Sequence, residues 1–482
     1  MMGIDLGTSS VKVIVSDWKQ GIVARSIRSY DVQTPAFGYA EQNPNEWLHA
    51  TIAAILEINT DILQQIAGIA FTGQMHAVLA IDESFRPLTP AMLWFDTRAH
   101  VEAQTLAREF RVKKLGCGDL VPDPTLPLSK IRWLRDKGNL DWSKAIYVIG
   151  AKDWIRCQFG GSLLTDGSEA SGTQLFDVLA HDWDQSLVQA AGIEIQNLPK
   201  VVSSTSVDGG LCSGIAKQTR LPEGCPLFVG GGDFPTAMGL LDFTSGDVVI
   251  NIGTAGQIAT RTNSLRRKSG FTRFAEVHSK GWLELIPLLS IGLCMTWWHG
   301  ILGNSGRDRV WPSGSSKRPS THPLVFLPQI AGERPWHPNP VSFGGFLGLR
   351  AEHSTDDLSL AVMEGVVMSV REAFDQLLGP SEMASGRIFL TGSREFTLLM
   401  AEEISSALGR PIRVRHFTEP TAEGAAYLAF LGNKVADGTI SPSQWSTETT
   451  VAPNAVKMEH YQSLYRLYQR ARGLQSELHS YF

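Results

Sequence analysis

Residues 3–13 read GIDLGTSSVKV, and residues 249–259 read VINIGTAGQIA. Each stretch has an apolar run, a turn of small residues and a second alternating run, which is the pattern of a β-hairpin. An alignment without a gap pairs Asp5 with Asn251, Gly7 with Gly253, Thr8 with Thr254 and Ser9 with Ala255. Because the second copy begins almost halfway along the chain, the repeat predicts a duplicated domain, with halves at residues 1–242 and 243–482. The alternative is a coincidence between two unrelated hairpins.

Helical and strand patterns alternate along both halves. In the first half, an amphipathic helix is predicted near residues 44–58 and a buried strand at 66–71. In the second half, a long helix at 356–378 precedes a strand at 387–391. This alternation predicts an α/β fold in which helices cover a sheet.

Bulk properties exclude several classes of protein. A chain of 482 residues is long enough for two or three domains. The net charge of −5 argues against a general binder of nucleic acid or of anionic membranes, because such a protein needs a clustered basic face. The sequence shows no signal-peptide pattern and no apolar run of membrane-spanning length, so we expect a cytoplasmic protein. The oligomeric state stays open, a homodimer included.

The cysteine pattern agrees with a reducing compartment. The chain has five cysteines, an odd number, and none lies in a C-x-x-C pair: Cys117, Cys157, Cys212, Cys225 and Cys294. A disulfide framework or a zinc site is therefore not expected.

The first hairpin has the chemistry of a phosphate site. The backbone N–H groups of a small-residue turn can form an anion-binding concavity at Gly7, Thr8, Ser9 and Ser10. Asp5, at the end of the preceding strand, could hold Mg²⁺ directly or through water. The matching turn at Gly253, Thr254, Ala255 and Gly256 favours this interpretation over an ordinary hairpin. Lys12 could add positive charge, although a lone strand lysine is more often simply solvated.

A second motif, Gly230-Gly231-Gly232-Asp233, lies between an apolar strand and a predicted helix. An acidic residue at such a turn occupies the edge where α/β proteins place their ligands. A carboxylate at this point can accept a proton from an attacking hydroxyl and could also contact Mg²⁺. The alternative is an aspartate that only caps the helix.

Two further motifs suit a small polyhydroxylated ligand. Gln74, Met75 and His76 follow the strand 66–71, and their polar groups could hydrogen-bond sugar hydroxyls. Trp94, Asp96 and Arg98 lie in the segment LWFDTR, which could pack on one side of a sugar and bind its hydroxyls. The respective alternatives are a loop with a satisfied histidine and a surface ion pair beside a core tryptophan.

Together these motifs resemble the FGGY carbohydrate kinase family, and within it the xylulokinases. The resemblance runs along essentially the whole chain in the family's order. Besides the motifs above, it rests on AKDWIRCQFGG at 151–161, TDGSEASGTQLFDV at 165–178, LPQIAGERPWHPNP at 327–340, GGFLGL at 344–349, MEGV at 363–366 and EGAAYLA at 423–429.

The resemblance implies two ribonuclease-H-like domains of the actin and hexokinase type, with a catalytic cleft between them. It implies that ATP and Mg²⁺ are used, that Asp233 is the catalytic base and that Asp5 is associated with the metal. It places sugar binding on the N-terminal half, at Met75, His76 and Asp233 among others, and nucleotide binding on the C-terminal half.

Three positions depart from the family pattern. Phe234 stands where xylulokinases have an asparagine that contacts the sugar. The adenosine segment, usually a run of three glycines, is shortened to Thr391-Gly392-Ser393, and Ala255 replaces a serine in the second phosphate turn.

We therefore expect an ATP-dependent kinase of a small sugar, with xylose metabolism and D-xylulose as the first candidates. D-Ribulose, another ketose, a polyol and an aldonate remain alternatives. A sugar-binding relative with weak catalysis, and an ATP-driven conformational protein, are the alternatives from other functional classes.

Overall fold

The computed structural model describes residues 1–109, 114–115, 118–119, 121–142, 144, 146–263, 271–278, 280–303, 322–333, 343–378, 386–434 and 445–481. The chain forms two compact units. The first contains Met1–Asp242, Arg273–Trp282 and Phe417–Ser446, and the second contains Phe243–Thr272, Leu283–His416 and Thr447–Phe482. Cys117 lies outside the described residues, as do residues 334–340 of the segment LPQIAGERPWHPNP.

The strands, in chain order, are β1 (Met2–Leu6), β2 (Ser10–Asp17), β3 (Gly21–Ser29), β4 (Glu41–Gln42), β5 (Ile69–Gly73), β6 (Leu79–Ile81), β7 (Ala91–Met92), β8 (Lys114–Leu115), β9 (Gly118–Asp119), β10 (Tyr147–Ile149), β11 (Leu164–Asp166), β12 (Phe176–Asp177), β13 (Asp182–Trp183), β14 (Lys200–Val202), β15 (Val207–Gly210), β16 (Pro226–Gly232), β17 (Val248–Ile252), β18 (Gly256–Thr262), β19 (Thr272–Ala275), β20 (Trp282–Leu288), β21 (Val325–Leu327), β22 (Gly345–Leu347), β23 (Ile388–Gly392), β24 (Ile412–His416) and β25 (Thr447–Val451).

The α-helices are α1 (Pro44–Leu56), α2 (Thr60–Leu63), α3 (His100–Glu109), α4 (Pro127–Lys137), α5 (Ala151–Phe159), α6 (Gly167–Ser171), α7 (Gln185–Ala190), α8 (Ser213–Thr219), α9 (Asp233–Met238), α10 (Ile291–Ile301), α11 (Thr355–Leu378), α12 (Arg394–Leu408), α13 (Pro420–Gly432) and α14 (Ala455–Leu478). The α/β class predicted from the alternating patterns is confirmed.

The first unit is built on a six-stranded sheet with the order β15-β16-β5-β1-β2-β3. Its three middle strands, β16, β5 and β1, run parallel to one another, and the outer strands are antiparallel to their neighbours. The central strands are buried along their length, which agrees with their nearly continuous apolar sequences. The three parallel strands therefore present their carboxyl ends at one edge of the sheet.

Helix α13 explains why residues 417–446 belong to the first unit. Its alanines, among them Ala422 and Ala426, are buried against β1. A Cβ atom at Gly3 would lie 2.0 Å from the carbonyl oxygen of Ala422 and 2.8 Å from the amide nitrogen of Ala426. Because only small residues allow this approach of helix and strand, the late segment packs on the first sheet. Each unit thus departs from a single continuous half of the sequence.

In the second unit, six strands are hydrogen-bonded in the order β20-β18-β17-β23-β24-β25. Here β17 forms a hairpin with β18 and is parallel to β23, just as β1 forms a hairpin with β2 and is parallel to β5. The repeat found in the sequence is therefore also a repeat of local topology.

The gapless alignment of the two hairpins is nevertheless wrong after the turn. In the first hairpin, Asp5 lies opposite Lys12. In the second, Asn251 lies opposite Gln257, so the second turn is one residue shorter. The structural counterpart of Gln257 is Lys12 rather than Val11.

The described cysteines, Cys157, Cys212, Cys225 and Cys294, are free thiols in the structure. Within the described ranges, no helix is long and apolar enough to cross a membrane.

Gly230 offers a direct test of the first sheet's packing. Its φ of +72° is in the left-handed region, and an added Cβ would lie 1.7 Å from the carbonyl oxygen of Phe71 on β5. We expect Gly230→Ala to destabilise the fold by on the order of 2–5 kcal/mol, through backbone strain and overpacking together. Differential scanning calorimetry measures the effect as a lower melting temperature.

Gly214 provides the matched control, because an added Cβ there would meet nothing within 4 Å. It lies in α8, so Gly214→Ala should be neutral or slightly stabilising. Equal melting temperatures for the two variants would contradict the packing described for Gly230.

Candidate active site

Three of the motifs found in the sequence meet at the carboxyl edge of the first sheet. Asp5 on β1 is level with Thr72 on β5, and Gly232 on β16 is level with Gly73 on β5. The segment Gln74–His76 continues directly from β5, and Asp233 continues directly from β16. The strand register thus brings the predicted metal residue, sugar loop and base together.

Asp5 is 2% exposed and belongs to a cluster of charged groups. Its Oδ2 accepts hydrogen bonds from the Thr421 hydroxyl and from Lys12 Nζ, the latter at 3.4 Å. Lys12 Nζ also lies 3.6 Å from Glu419 Oε2. Burial on its own lowers the pKa of Lys12, but the carboxylates of Asp5 and Glu419 outweigh it and raise that pKa. A permanently charged lysine therefore accompanies Asp5.

Asp233 is the first residue of α9, and its Oδ1 accepts the backbone N–H of Phe234 at 2.7 Å. Burial and then the nearby Asp5 carboxylate raise the pKa of Asp233 to about 7, against the opposing effects of the Phe234 N–H and Lys12. Two neighbouring carboxylates, that of the buried Asp5 and that of the half-buried Asp233, disfavour double ionisation, which is why one of them has a raised pKa. A carboxylate that titrates near neutral pH is suited to general-base chemistry.

The glycines before Asp233 make room for Met75. An added Cβ at Gly232 would lie 2.6 Å from Met75 Sδ. Met75 is 5% exposed, so its side chain fills the space beside the end of β16. The predicted sugar residue thus packs against the residue that directly precedes the predicted base.

His76 adopts a left-handed backbone conformation, with a φ of +66°. Its ring Nδ1 lies 2.7 Å from the carbonyl oxygen of Gly172, and its own carbonyl oxygen accepts a hydrogen bond from Lys130 Nζ at 3.0 Å. These contacts hold the loop after β5 in a conformation that a non-glycine residue rarely adopts.

The side chain of Gln74 is buried and bonded to another protein group, unlike a side chain that reaches out to a ligand. It is 2% exposed, and its Nε2 donates to Oε1 of Gln42 at 3.1 Å. Gln42 in turn donates from Nε2 to the carbonyl oxygen of Thr8 at 2.7 Å. Gln74 is therefore connected through Gln42 to the turn that was predicted to bind phosphate.

Gln42 is a site residue that the sequence analysis missed. It is 1% exposed, and its Oε1 also accepts the indole N–H of Trp47 at 3.0 Å. The signal available in the sequence was a glutamine two residues before the start of α1, with a tryptophan five residues further on. Such a pattern indicates a helix start and says nothing about the distant partner at Thr8.

The turn Gly7–Ser10 is held by its carbonyl oxygens. Tyr30 donates from its hydroxyl to Gly7 at 2.5 Å and from its backbone N–H to Ser9 at 3.1 Å. Burial, and to a smaller extent Asp5, raise the pKa of Tyr30, so its hydroxyl stays protonated as a donor. The Ser9 side chain is exposed and those of Thr8 and Ser10 are partly exposed. The turn is thus both fixed and accessible.

For the segment LWFDTR, the alternative considered from the sequence was a surface ion pair beside a core tryptophan. The structure shows the reverse, a buried ion pair and an exposed tryptophan. Asp96 is fully buried and receives bonds from Arg98 Nε at 2.9 Å and Nη2 at 2.6 Å. Arg98 also lies over the ring of Tyr39, with its Cζ 3.6 Å from the ring centroid. Trp94 is 43% exposed and donates its indole N–H to the Thr8 hydroxyl at 3.0 Å. The ion pair is structural, and the tryptophan is the accessible group.

Phe234 is half-buried, and its ring pairs with that of Phe274 at 6.4 Å between centroids. The residue after Asp233 therefore places an aromatic ring, with no hydrogen-bonding side-chain group, beside the carboxylate. This is the position at which the sequence departs from the xylulokinase pattern.

In the second unit, the turn Gly253–Gly256 is joined to the start of α10. The N–H groups of Gly292 and Leu293 donate to the carbonyl oxygens of Gly253 and Thr254, at 3.2 and 2.8 Å. An added Cβ at Gly256 would lie 2.7 Å from the backbone carbonyl oxygen of Asn251, so the close packing of the turn favours glycine.

The predicted adenosine segment lies beside the same turn. Gly392 has a φ of +115°, and Ser393 donates its N–H to the carbonyl oxygen of Ile252 at 2.7 Å. Ser393 directly precedes α12. The predicted phosphate turn and the predicted adenosine residues of the second unit are therefore neighbours. Residues 334–340 of the segment LPQIAGERPWHPNP lie outside the described residues.

Comparisons with known proteins agree with these motifs. The profile of the FGGY family of carbohydrate kinases, N-terminal domain, matches residues 1–240, and that of the family's C-terminal domain matches residues 306–432. Together the two profiles match well over half of the chain.

Individual relatives match over nearly the full length. A xylulose kinase of Lactococcus lactis is 26% identical, over 99% of this chain and 97% of the relative. A gluconokinase of Bacillus subtilis is 28% identical, over 89% of this chain and 86% of the relative. The solved structure of a xylulose kinase from Rhodospirillum rubrum has a TM-score of 0.88 at 23% identity, covers 100% of this chain and 99% of its own, and shows the fold alone. The chain belongs to the FGGY family of carbohydrate kinases and has the family's fold of two actin- and hexokinase-like domains.

Proposed function

We propose that this carbohydrate kinase transfers the γ-phosphoryl group of ATP to the terminal hydroxyl of a ketopentose, with D-xylulose as the first candidate. ATP as the phosphoryl donor follows from the family. The observation that carries the proposal is the strand register that brings Asp5 and Asp233 together at the carboxyl edge of a parallel sheet. Burial and the Asp5 carboxylate raise the pKa of Asp233 there to about 7. Several xylulose kinases are among the relatives, which supports the choice of sugar.

In the proposed reaction, Asp233 accepts the proton of the sugar hydroxyl as its oxygen attacks the γ-phosphorus. Met75, His76 and Trp94 contact the sugar, and Gln74 acts through Gln42 on the position of the Thr8 turn. Phosphoryl transfer needs little covalent help from the protein and depends mainly on positioning and on stabilising charge. The rigid contacts of the edge residues suit that requirement.

We assign the sugar to the N-terminal half of the chain and the nucleotide to the C-terminal half. The turns Gly7–Ser10 and Gly253–Gly256 would offer backbone N–H groups to the phosphates. Gly392 and Ser393 would lie on the adenosine side. The free thiols of the described cysteines support the expectation of a reducing, cytoplasmic environment.

The donor set of the first unit fits Mg²⁺. Asp5 and Asp233 provide hard carboxylate oxygens, and the protein commonly supplies only one or two carboxylates to Mg²⁺ while the substrate phosphates supply the rest. Among the described residues, no group of three or more His, Cys, Asp or Glu side chains could hold a metal by itself, which agrees with such a shared site. When bound, the ion would neutralise charge on the phosphate oxygens.

A second candidate substrate is an aldonate such as gluconate. Phe234 removes the amide that xylulokinases use at this position, and a gluconokinase is among the relatives. Which of the two sugar classes is phosphorylated is decided by the same panel of substrates that tests the kinase itself.

The central test is ADP release over a panel of ketoses, polyols and aldonates. We expect sugar-dependent turnover, and we expect Asp233→Ala to lower it by at least about a hundredfold, the scale of general-base catalysis. The matched control is Asp184→Ala, because Asp184 also begins a helix and caps α7 through the N–H groups of Ser186 and Leu187. Near-normal turnover in Asp233→Ala would sink the assignment. Slow ATP hydrolysis that no sugar stimulates would favour the conformational ATPase.

The pH dependence of kcat/KM should report the same carboxylate. Because the base must be ionised, kcat/KM should rise with pH and level off above about 7, the pKa of Asp233. A profile that is already flat from pH 5 upward would contradict this assignment, since a carboxylate with an ordinary pKa is ionised there.

The raised pKa also predicts a stability effect. Between its ordinary value of 3.8 and about 7, Asp233 in the folded protein holds a proton that the unfolded chain releases. Stability therefore falls as pH rises through this window. Asp233→Asn, which cannot ionise, should melt at a higher temperature than the wild type at pH 8, and this advantage should vanish near pH 4. A constant difference at both pH values would show that ionisation of Asp233 is not the cause.

Substitution of Phe234 tests the choice of sugar. If the ring excludes a hydrogen bond to D-xylulose, Phe234→Asn should raise kcat/KM for this sugar by about fivefold or more, the contribution of one hydrogen bond. Phe234→Leu is the control, because it shortens the side chain without adding a polar group. Equal behaviour of both variants across the panel would place this side chain outside the sugar pocket.

A further inference from the structure

The segment TDGSEAS at residues 165–171 is part of the family resemblance, but nothing above gives it a function. We propose that Ser168, supported by Asp166, is a positioning residue that holds the loop of Asp233. The inference rests on the proposed function, in which Asp233 is the base.

The contact between the two segments is a buried hydrogen bond. The backbone N–H of Gly232 donates to Ser168 Oγ at 3.0 Å, and Ser168 is fully buried. Gly232 directly precedes Asp233, so this bond fixes the peptide group between Gly231 and Gly232, one peptide group before Asp233. The Ser168 hydroxyl can donate only one hydrogen, and it donates that hydrogen to Asp166 Oδ2 at 2.6 Å. Its lone pairs are therefore available to the Gly232 N–H.

Asp166 is itself held from several sides. It is fully buried and caps α6 by accepting the backbone N–H groups of Ser168 and Glu169. Its Oδ2 also accepts the Ser204 hydroxyl at 2.8 Å, and its Oδ1 lies 3.2 Å from Lys152 Nζ. Because every one of these partners is a donor, the carboxylate is locked in one orientation. The direction of the Ser168 hydroxyl follows from it.

Behind Asp166 lies a buried chain of charges from the segment AKDWIRCQFGG. Lys152 pairs with Asp153 at 2.7 Å, Asp153 with Arg156 at 2.6 Å, and Arg156 with Asp208 at 2.7 Å. These side chains are at most 6% exposed. Buried ion pairs add little net stability, and one documented use is to specify a single geometry. Here the ion pairs fix the surroundings of Asp166, which orients Ser168 and thereby the loop of Asp233.

The structure has little room to compensate for loss of Ser168. A buried N–H without an acceptor is unfavourable, so the loop would shift toward another acceptor or toward water. Met75 is packed against Gly232 on one side, and Gly230 is packed against Phe71. A shift of the loop therefore moves Asp233 rather than the surrounding core.

The test compares Ser168→Ala with Ser204→Ala. Both variants remove one buried hydroxyl that donates to Asp166, and only Ser168 accepts the Gly232 N–H. We expect Ser168→Ala to lower kcat about five- to tenfold, with the KM for ATP within about twofold of the wild type. We expect Ser204→Ala to keep kcat within about twofold. Equal losses of kcat in both variants would overturn the proposal, because they would indicate a general effect through Asp166.

The division of the effect between kcat and KM is the readout that a merely structural role would not change. A displaced base lowers kcat and leaves the KM for ATP near the wild-type value. A raised KM for ATP with an unchanged kcat in Ser168→Ala would contradict the proposal.

Hydrogen–deuterium exchange tests the contact without any assay of activity. The peptide that contains Gly232 should exchange about tenfold faster in Ser168→Ala and at the wild-type rate in Ser204→Ala. Unchanged exchange in both would overturn the positioning role, even in an active enzyme. If the wild type phosphorylates no sugar, the proposed function fails, and the exchange measurement still decides the inference. Should Ser168→Ala not fold, Ser168→Cys, with its weaker acceptor, replaces it, with the same direction of effect expected.

Discussion

The parallel pairing of β1, β5 and β16 is the constraint on which the site depends. Because the three strands end at the same level, their continuations share one edge of the sheet. Asp5 and Asp233 are thereby placed near one another, and the raised pKa of Asp233 follows from its partial burial and from this proximity. The chemistry of the site is thus a consequence of strand register, and a slip of one residue would turn every side chain of the slipped strand to the other side of the sheet.

The same edge of the sheet contains several groups in unfavourable states, together with hydrogen bonds that hold those groups in place. A carboxylate held neutral until about pH 7, a left-handed histidine and a glycine turn pressed against Phe71 are all unfavourable in isolation. They persist because surrounding groups hold the backbone in place: Gln42 bonds the carbonyl of Thr8, Lys130 bonds the carbonyl of His76, and Ser168 accepts the N–H of Gly232. Active sites in enzymes commonly lower the stability of the fold in this way while serving activity.

Much of the fold could be predicted from local patterns. The long helices, the strand before Gly230 and the repeated hairpin are encoded in hydrophobic periodicity and in small-residue turns, which act over short stretches of sequence. The return of α13 to the first sheet could not be predicted, because it depends on the fit of an alanine-rich surface against Gly3, some 420 residues away. The shorter second hairpin turn was missed because the sequence similarity of the two turns hides a single deletion.

The candidate site was predictable where one residue type carries the chemistry by itself. Asp233 stood out because a carboxylate follows glycines at the end of a strand. Gln42 and Ser168 did not, because their importance lies in partners that are distant in sequence. For the same reason, the sequence could not show that the ion pair of Asp96 is buried while Trp94 is exposed.

The pKa of Asp233 is the property that most directly tests the chemistry of this site. A ¹³C NMR titration of the aspartate carboxyl carbons, assigned with Asp233→Asn, measures this pKa in the wild type and in Asp5→Asn. We expect a pKa of about 7 for Asp233 in the wild type and a lower value once the charge of Asp5 is removed. A wild-type pKa near 4 that is unaffected by Asp5→Asn would show that Asp233 is not the base described here.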